Sequence, residues 1–159
     1  LYKYDENENC FYESKEAYKS YRNIFKSYKL GYTTPLLSPA GGLKITVYDL
    51  ALYMLEHMKA SNKQYTKLLS YQSEKELQDV QTQSSNYALS FRRYTNIVKG
   101  DTLYGQTGGA YGLFSAMIFS PKKDIGFVIL TNGCKSHYID GFMDFHLPII
   151  RRLYALFIE

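Results

Sequence analysis

The sequence predicts an α+β fold, an antiparallel sheet covered by helices, and three observations carry that expectation. The apolar period changes from helical to alternating near Tyr87; a turn-forming segment, Ser120–Asp124, separates two apolar runs; and the chain returns to helical spacing towards its end.

The first dozen residues are polar and acidic (Asp5, Glu6, Asn7, Glu8, Asn9) and read as a loose entry. From Ser14 to Tyr28 the spacing predicts a helix, with Tyr18, Tyr21, Phe25 and Tyr28 on one stripe, closed by Gly31 and by the extended backbone that Thr33-Thr34-Pro35 requires. Leu37–Leu43, with its Gly41-Gly42 pair, is a tight irregular segment. It leads to Thr46, an N-cap paired with Asp49 in the acidic variant of a capping box. The helix that follows is expected to bury Leu50, Ala51, Met54, Leu55 and Met58. Ser70 or Ser73 starts a shorter helix reaching Val80, Ser73 and Glu76 forming a second capping box, and Gln81–Asn86 is loop-like.

Four strands are expected after that. Tyr87, Leu89 and Phe91 alternate with smaller or polar residues, and further runs cover Thr102–Thr107, Leu113–Phe119 and Ile125–Thr131. Ser120-Pro121-Lys122-Lys123-Asp124 has turn chemistry, so the last two strands form an antiparallel hairpin. The near-continuous apolar run at Ile125–Leu130 suggests a strand buried on both faces. Asn132-Gly133 ends the sheet. The tail, Ile139 to Phe157, is mostly at helical spacing, and Pro148 suits the first turn of a second helical segment.

Composition narrows the function classes. With 45% apolar residues in 159, the chain can build one core. The 17 Tyr and 9 Phe, with no Trp, can serve as core and contact surface together, half-buried packing being the default. The net charge of +4 is interleaved, and Lys15, Lys19, Arg22, Lys26 and Lys29 recur about once per helical turn as a solvated face would; with no recognition motif, nucleic acid is disfavoured. Cys10 and Cys134 lack metal or redox-motif spacing and can pair only if the fold brings their Cα atoms within about 7 Å. No metal and no cofactor is implied. No apolar run approaches the roughly 20 residues that span a bilayer. The chain begins at Leu1 rather than Met, which suggests a piece of something longer.

Three stretches in order carry a family resemblance. Pro39-Ala40-Gly41-Gly42-Leu43 with Thr46-x-x-Asp49-Leu50, then Gly105-Gln106-Thr107-Gly108-Gly109-Ala110-Tyr111-Gly112, then Ile129-Leu130-Thr131-Asn132-Gly133 resemble the serine beta-lactamase-like, penicillin-recognising hydrolases, nearest their class C and esterase-type branch. The resemblance covers about residues 38 to 158. It implies the C-terminal part of the beta-lactamase/transpeptidase-like fold. The chain would be a single partial domain over 1–159, with a variable helical entry at 1–37 and the family segment at 38–158. It also implies that Gly109 N–H completes an oxyanion hole, that Thr107 hydrogen-bonds the substrate, and that Gln106 and Gly108 line its binding edge. Donors of this kind matter because charge develops on the carbonyl oxygen, and losing one costs roughly 3–4 kcal/mol in known cases. Outside a family context, such a glycine cluster reads as a bulge or strand bend.

Two departures stand out. Position 106 is Gln where the family has Lys or His, and Gln cannot titrate. The nucleophile motif S-x-x-K and the tyrosine motif belong upstream of everything seen here, so the chain alone is expected to be inactive. Ser120-Pro121-Lys122-Lys123 matches S-x-x-K in letters but falls in a turn, whereas the chemistry needs a helix N-terminus. Tyr94-Thr95-Asn96 matches Y-x-N at a strand end and reads as a turn cluster. His57 reads as a surface or boundary residue of its helix; His137 and His146 flank the sheet–helix junction with Asp140 and Asp144 nearby, His146 with Asp144 lacks metal spacing, and a structural or solvated role is the default.

Two functions are therefore carried forward. One is part of a hydrolase that cleaves lactam, D-Ala peptide or ester carbonyls through an acyl-enzyme, with a small-molecule or peptidoglycan-peptide-like substrate. The other is a non-catalytic binding or interaction module on the same fold. If upstream strands are missing, an exposed sheet edge is expected to drive homodimerisation.

Overall fold

In the computed structural model, residues 1–18, 26, 29, 43–82, 86–135, 137–139 and 142–158 are described. The predicted helix over Ser14–Tyr28 lies outside them beyond a 3-10 turn at Lys15–Tyr18, as do Gly31, Thr33–Pro35 and Leu37–Gly42.

The centre is a four-stranded antiparallel sheet in the order β3-β4-β5-β6: β3 Arg92–Tyr94, β4 Leu103–Ala110, β5 Leu113–Ser120 and β6 Ile125–Asn132. β4 and β5 are joined by a two-residue loop in which Tyr111 and Gly112 take φ of 56° and 89°, the mirror-image geometry that matches strand twist. β5 and β6 pair from Leu113↔Asn132 to Ser120↔Ile125, the hairpin predicted from Ser120–Asp124. Ser120, fully buried, accepts from Lys123 N–H at 3.1 Å and so caps that turn from inside.

Helices cover both faces. Alternation along β4–β6 separates the core into two clusters. On one face Met117 and Phe119 meet Met54 and Met58 of α1 (Val47–Ser61) and Phe91. On the other, Ala116, Ile118 and Phe127 meet Phe142, Ile150 and Tyr154, the last two on α3 (His146–Ile158). The α+β architecture is the expected one.

α1 begins as its cap predicts: Thr46 Oγ1 accepts from Asp49 N–H at 3.1 Å and donates to the Asp49 carboxylate at 2.7 Å. Its buried stripe is rotated from the expected one, since Leu55 is 43% exposed and His57 only 3%. The physical reason is α2 (Tyr71–Gln78), which packs on α1 through a polar network. His57 Nδ1 lies 2.6 Å from the fully buried Glu74 carboxylate; Gln78 donates to Glu74 at 2.6 Å and to Ser61 Oγ at 2.7 Å; and Ser61 closes back onto His57 carbonyl at 2.8 Å. Buried charge-bearing groups persist when paired in this way. Ser70 rather than Ser73 caps α2, accepting from Ser73 N–H at 3.1 Å.

Four other expectations are corrected. Residues 1–12 are not a loose entry: β1 (Tyr2–Asp5) and β2 (Cys10–Glu13) form a hairpin, its turn held by Asp5 Oδ1 accepting from the N–H groups of Asn7 and Glu8. Local Asx bonding of this kind outweighs the polar composition. The first strand of the sheet is Arg92–Tyr94, not Tyr87–Phe91, because Phe91 is buried under α1 while Tyr87 and Leu89 are 44% and 65% exposed. β6 is half-buried along most of its length, with β5 as its one paired strand among the described residues. In the tail, Tyr138–Ile139 (β7) and Phe142–Met143 (β8) make a short hairpin before α3, which starts at His146 with Pro148 in its first turn.

Candidate functional site

β4 changes character along its length. Leu103, Tyr104 and Gly105 pair with Tyr94, Arg93 and Arg92 on one side and with β5 on the other, but β3 ends there. From Gln106 to Ala110 the strand has β5 on one side and no strand on the other among the described residues.

Two independent sets of bonds fix which backbone groups face that open side, because successive residues of an antiparallel strand address alternate neighbours. Arg93 N–H donates to Asn86 carbonyl and Ala88 N–H to Phe91 carbonyl, both at 2.8 Å, so Arg92 and Tyr94 address β4, opposite Gly105 and Leu103. From the far side, Gly133 N–H donates to Gly112 carbonyl at 2.9 Å, so Gly112, Phe114 and Ala116 address β6 while Ser115 and Met117 address Gly108 and Gln106. Both give the same parity: Gly105, Thr107 and Gly109 turn their backbone groups away from β5. The N–H of Gly109 therefore points to the open edge, as does that of Thr107.

The side chains at these positions are engaged within the chain. Gln106 donates from Nε2 to Ser90 carbonyl, tying the segment before β3 to β4. The Thr107 hydroxyl hydrogen-bonds the phenol of Tyr94, whose burial pushes its pKa up to about 12 against the smaller downward pull of Arg92. Gly108 and Gly109 are exposed, and a Cβ at Gly109 would stand 2.9 Å from the Tyr138 hydroxyl and 3.3 Å from the Phe114 ring. Tyr138, on β7, thus holds its hydroxyl against the sheet face at Gly109, a placement that no motif in the sequence announces. Beside it, a cleft of about 200 Å³ between the β1–β2 hairpin and the β4–β5 loop is lined by Lys3, Tyr4, Glu6, Tyr12, Gly112, Phe114 and Cys134.

The remaining candidates fall elsewhere. Ser120 and Lys123 sit in the β5–β6 turn, without the helical turn that would set an amine over a hydroxyl. Tyr94 is a core residue edge-on to Phe142 at 4.4 Å, and Asn96 accepts from Arg151 through its carbonyl. His146 is fully buried with both ring nitrogens unpartnered, and burial lowers its pKa; His137 is exposed. Asp140 lies outside the described residues. Cys10 and Cys134 are both free thiols. Among the described residues no group of three His, Cys, Asp or Glu is placed to hold a metal ion, and no helix is long and apolar enough to cross a membrane.

Comparison with known proteins bears on the family of the chain. No curated protein and no solved structure matches the chain. A family model described as Beta-lactamase matches residues 4–140, a span that begins within β1 and takes in both helices before the sheet, all four sheet strands and Tyr138. A fold of helices on both faces of an antiparallel sheet, an open glycine-rich strand edge and a match over most of its length place the chain in the Beta-lactamase family.

Proposed function

We propose that the chain forms the substrate-facing wall of a serine acyl-transfer cleft. The open edge of β4 receives an extended substrate, and Gly109 N–H donates to the carbonyl oxygen of a lactam, D-Ala peptide or ester as that oxygen gains negative charge. Gln106, Thr107 and Gly108 complete the edge, the small residues at 108 and 109 letting the substrate approach the backbone. Tyr138, over Gly109, supplies a second hydrogen-bonding group. The observation that carries the reading is the outward parity of Thr107 and Gly109 where β3 has ended, in a segment matched by the family model. S-x-x-K occurs once in the sequence, in the β5–β6 turn, so the nucleophile is assigned to a segment outside the described residues and the chain alone is expected to turn over nothing.

The test combines intact mass with amide NMR. Incubation with a fluorescent penicillin and, separately, a fluorophosphonate is expected to leave the mass unchanged. Titration with an N-acyl-D-alanyl-D-alanine peptide is expected to shift the amides of Thr107 and Gly109 before others. A stoichiometric adduct would show that an activated serine lies within the chain, and unmoved Thr107 and Gly109 amides would remove the edge from the substrate path.

A second reading, a binding module without catalysis, is favoured by Gln106: it cannot titrate, and its amide is occupied by Ser90 carbonyl. The two readings separate on the whole encoded polypeptide. Covalent labelling by a penicillin supports the hydrolase, and binding without labelling supports the module.

A further inference from the structure

The polar network between α1 and α2 stands at the base of the chain that reaches the candidate site. His57 and Glu74, 3% and 0% exposed, meet at 2.6 Å against a cluster of Met54, Met58, Phe91, Met117 and Phe119. An apolar pair of similar volume would join that cluster without the cost of taking polar groups from water, so stability alone is a poor reason to bury these two. What they supply is direction. The short hydrogen bond fixes one arrangement of the two helices, and the closed loop through Gln78 and Ser61 fixes it again.

The two partners grip opposite ends of one stretch of chain. Glu74 lies on α2, and the chain leaving α2 is tied back beside β3: Gln81 N–H donates to Tyr87 carbonyl at 3.3 Å, and Arg93 N–H to Asn86 carbonyl at 2.8 Å. His57 stands where that chain arrives. Its ring meets Phe91 edge-on with centroids 4.9 Å apart, and Phe91 meets Phe119 edge-on at 5.4 Å. Next to Phe91 is Ser90, whose carbonyl accepts from the Gln106 amide. Gln106 lies opposite Met117, which places it on the face of the sheet that α1 covers.

We propose that the His57–Glu74 pair positions the open edge of β4. By holding both ends of the stretch between α2 and β3, it keeps Ser90 carbonyl on Gln106, and so keeps the Gln106 amide off the backbone groups of Thr107 and Gly109. The pair touches no substrate and acts through Phe91 and Ser90. Once it is broken, Gln106 carries a released donor and acceptor beside an open strand edge, where both can occupy backbone groups that a substrate needs. The hold on Gln106 stands by itself, whereas its consequence for substrate rests on the acyl-transfer reading.

The experiment is NMR on the whole chain, following the Gln106 side-chain amide alone and the Thr107 and Gly109 amides in titrations with an N-acyl-D-alanyl-D-alanine peptide. In the native chain the Gln106 side-chain signals are expected to be dispersed and protected from exchange. Glu74→Leu and His57→Leu should lower that protection by about tenfold and weaken peptide binding by about fivefold. Glu74→Gln, which keeps an oxygen for His57 Nδ1, should restore both. In a Gln106→Ala background the Leu variants should have no further effect on binding, because the path through Gln106 is already gone. If the Leu variants fail to fold, Phe91→Leu decides by the same readouts, since it leaves the pair in place and withdraws the ring against His57. Dispersed, protected Gln106 signals in a folded Leu variant overturn the proposal. So do binding losses that add to that of Gln106→Ala, as a merely structural role would give. A native chain that binds no peptide overturns the acyl-transfer reading, and the Gln106 signals then decide the positioning role by themselves.

Discussion

The two halves of β4 share a strand, a sheet and a register with β5, yet they are specified by different things. Leu103 and Gly105 are buried between two neighbouring strands, and what they require is set by atoms on either side. Gly105, at φ +154°, has no room for a side chain: a Cβ there would stand 1.9 Å from the Met117 carbonyl oxygen. Gly109, four residues on, has the opposite surroundings. Its nearest obstacle is the far end of the half-exposed Tyr138 side chain, which can move. One glycine is required by the fold, and the other leaves backbone open to whatever approaches. A glycine-rich strand therefore needs to be read position by position.

The largest expected effect is at the closed half. Gly105→Ala should destabilise by about 3 kcal/mol or more in urea denaturation, since backbone must shift on two strands. Next comes the boundary, where Tyr94 stands between the halves with its hydroxyl on Thr107. Its folded pKa is raised from 10.0 to about 12, so the fold holds the neutral phenol. Between those values the unfolded chain releases the proton and the folded one keeps it. Stability is therefore intact below pH 10 and falls as pH rises towards 12, by up to ~3 kcal/mol. Tyr94→Phe should flatten that alkaline loss, with a remainder from Tyr53 and Tyr104, whose pKa values burial also raises; an equally steep loss in the variant would place the responsible phenol elsewhere. The smallest effect on stability is at the open half. Gly109→Ala should change the unfolding free energy from urea denaturation by less than about 1 kcal/mol while weakening the peptide-induced shifts at Thr107. Equal destabilisation at 105 and 109 would erase the contrast.

What was legible in the sequence follows the range of the interactions. The β4–β5–β6 meander could be read because each strand is a long run bounded by turn residues, and the Thr46–Asp49 cap because all its atoms lie within one turn of helix. The β1–β2 hairpin was hidden by acidic residues whose role is local bonding in its turn, Asp5 above all. The β7–β8 hairpin is too short for any period to show, and its apolar residues imitate a helical stripe. His57 was misjudged because what buries it, Glu74 on another helix, is a tertiary partner that α1 alone does not reveal. At the candidate site, the family resemblance singled out residues 106 to 109, and it says nothing of their surroundings. That Gln106 is held by Ser90, Thr107 by Tyr94, and Gly109 roofed by Tyr138 are contacts between separate segments. Only the paired sheet also reveals which backbone N–H groups point outward.

The two thiols give the molecule a built-in chemical asymmetry. Cys10 is exposed on the β1–β2 hairpin, whereas Cys134 is half-buried in the cleft beside the open edge, its pKa raised by burial and by Asp144. Thiolate is the reactive form, so a brief, near-neutral pulse of maleimide should mark Cys10 and spare Cys134. A dye or spin label can then be installed on the hairpin of the native chain without mutagenesis, leaving the second thiol as a slower reporter whose modification rate follows how often the cleft opens.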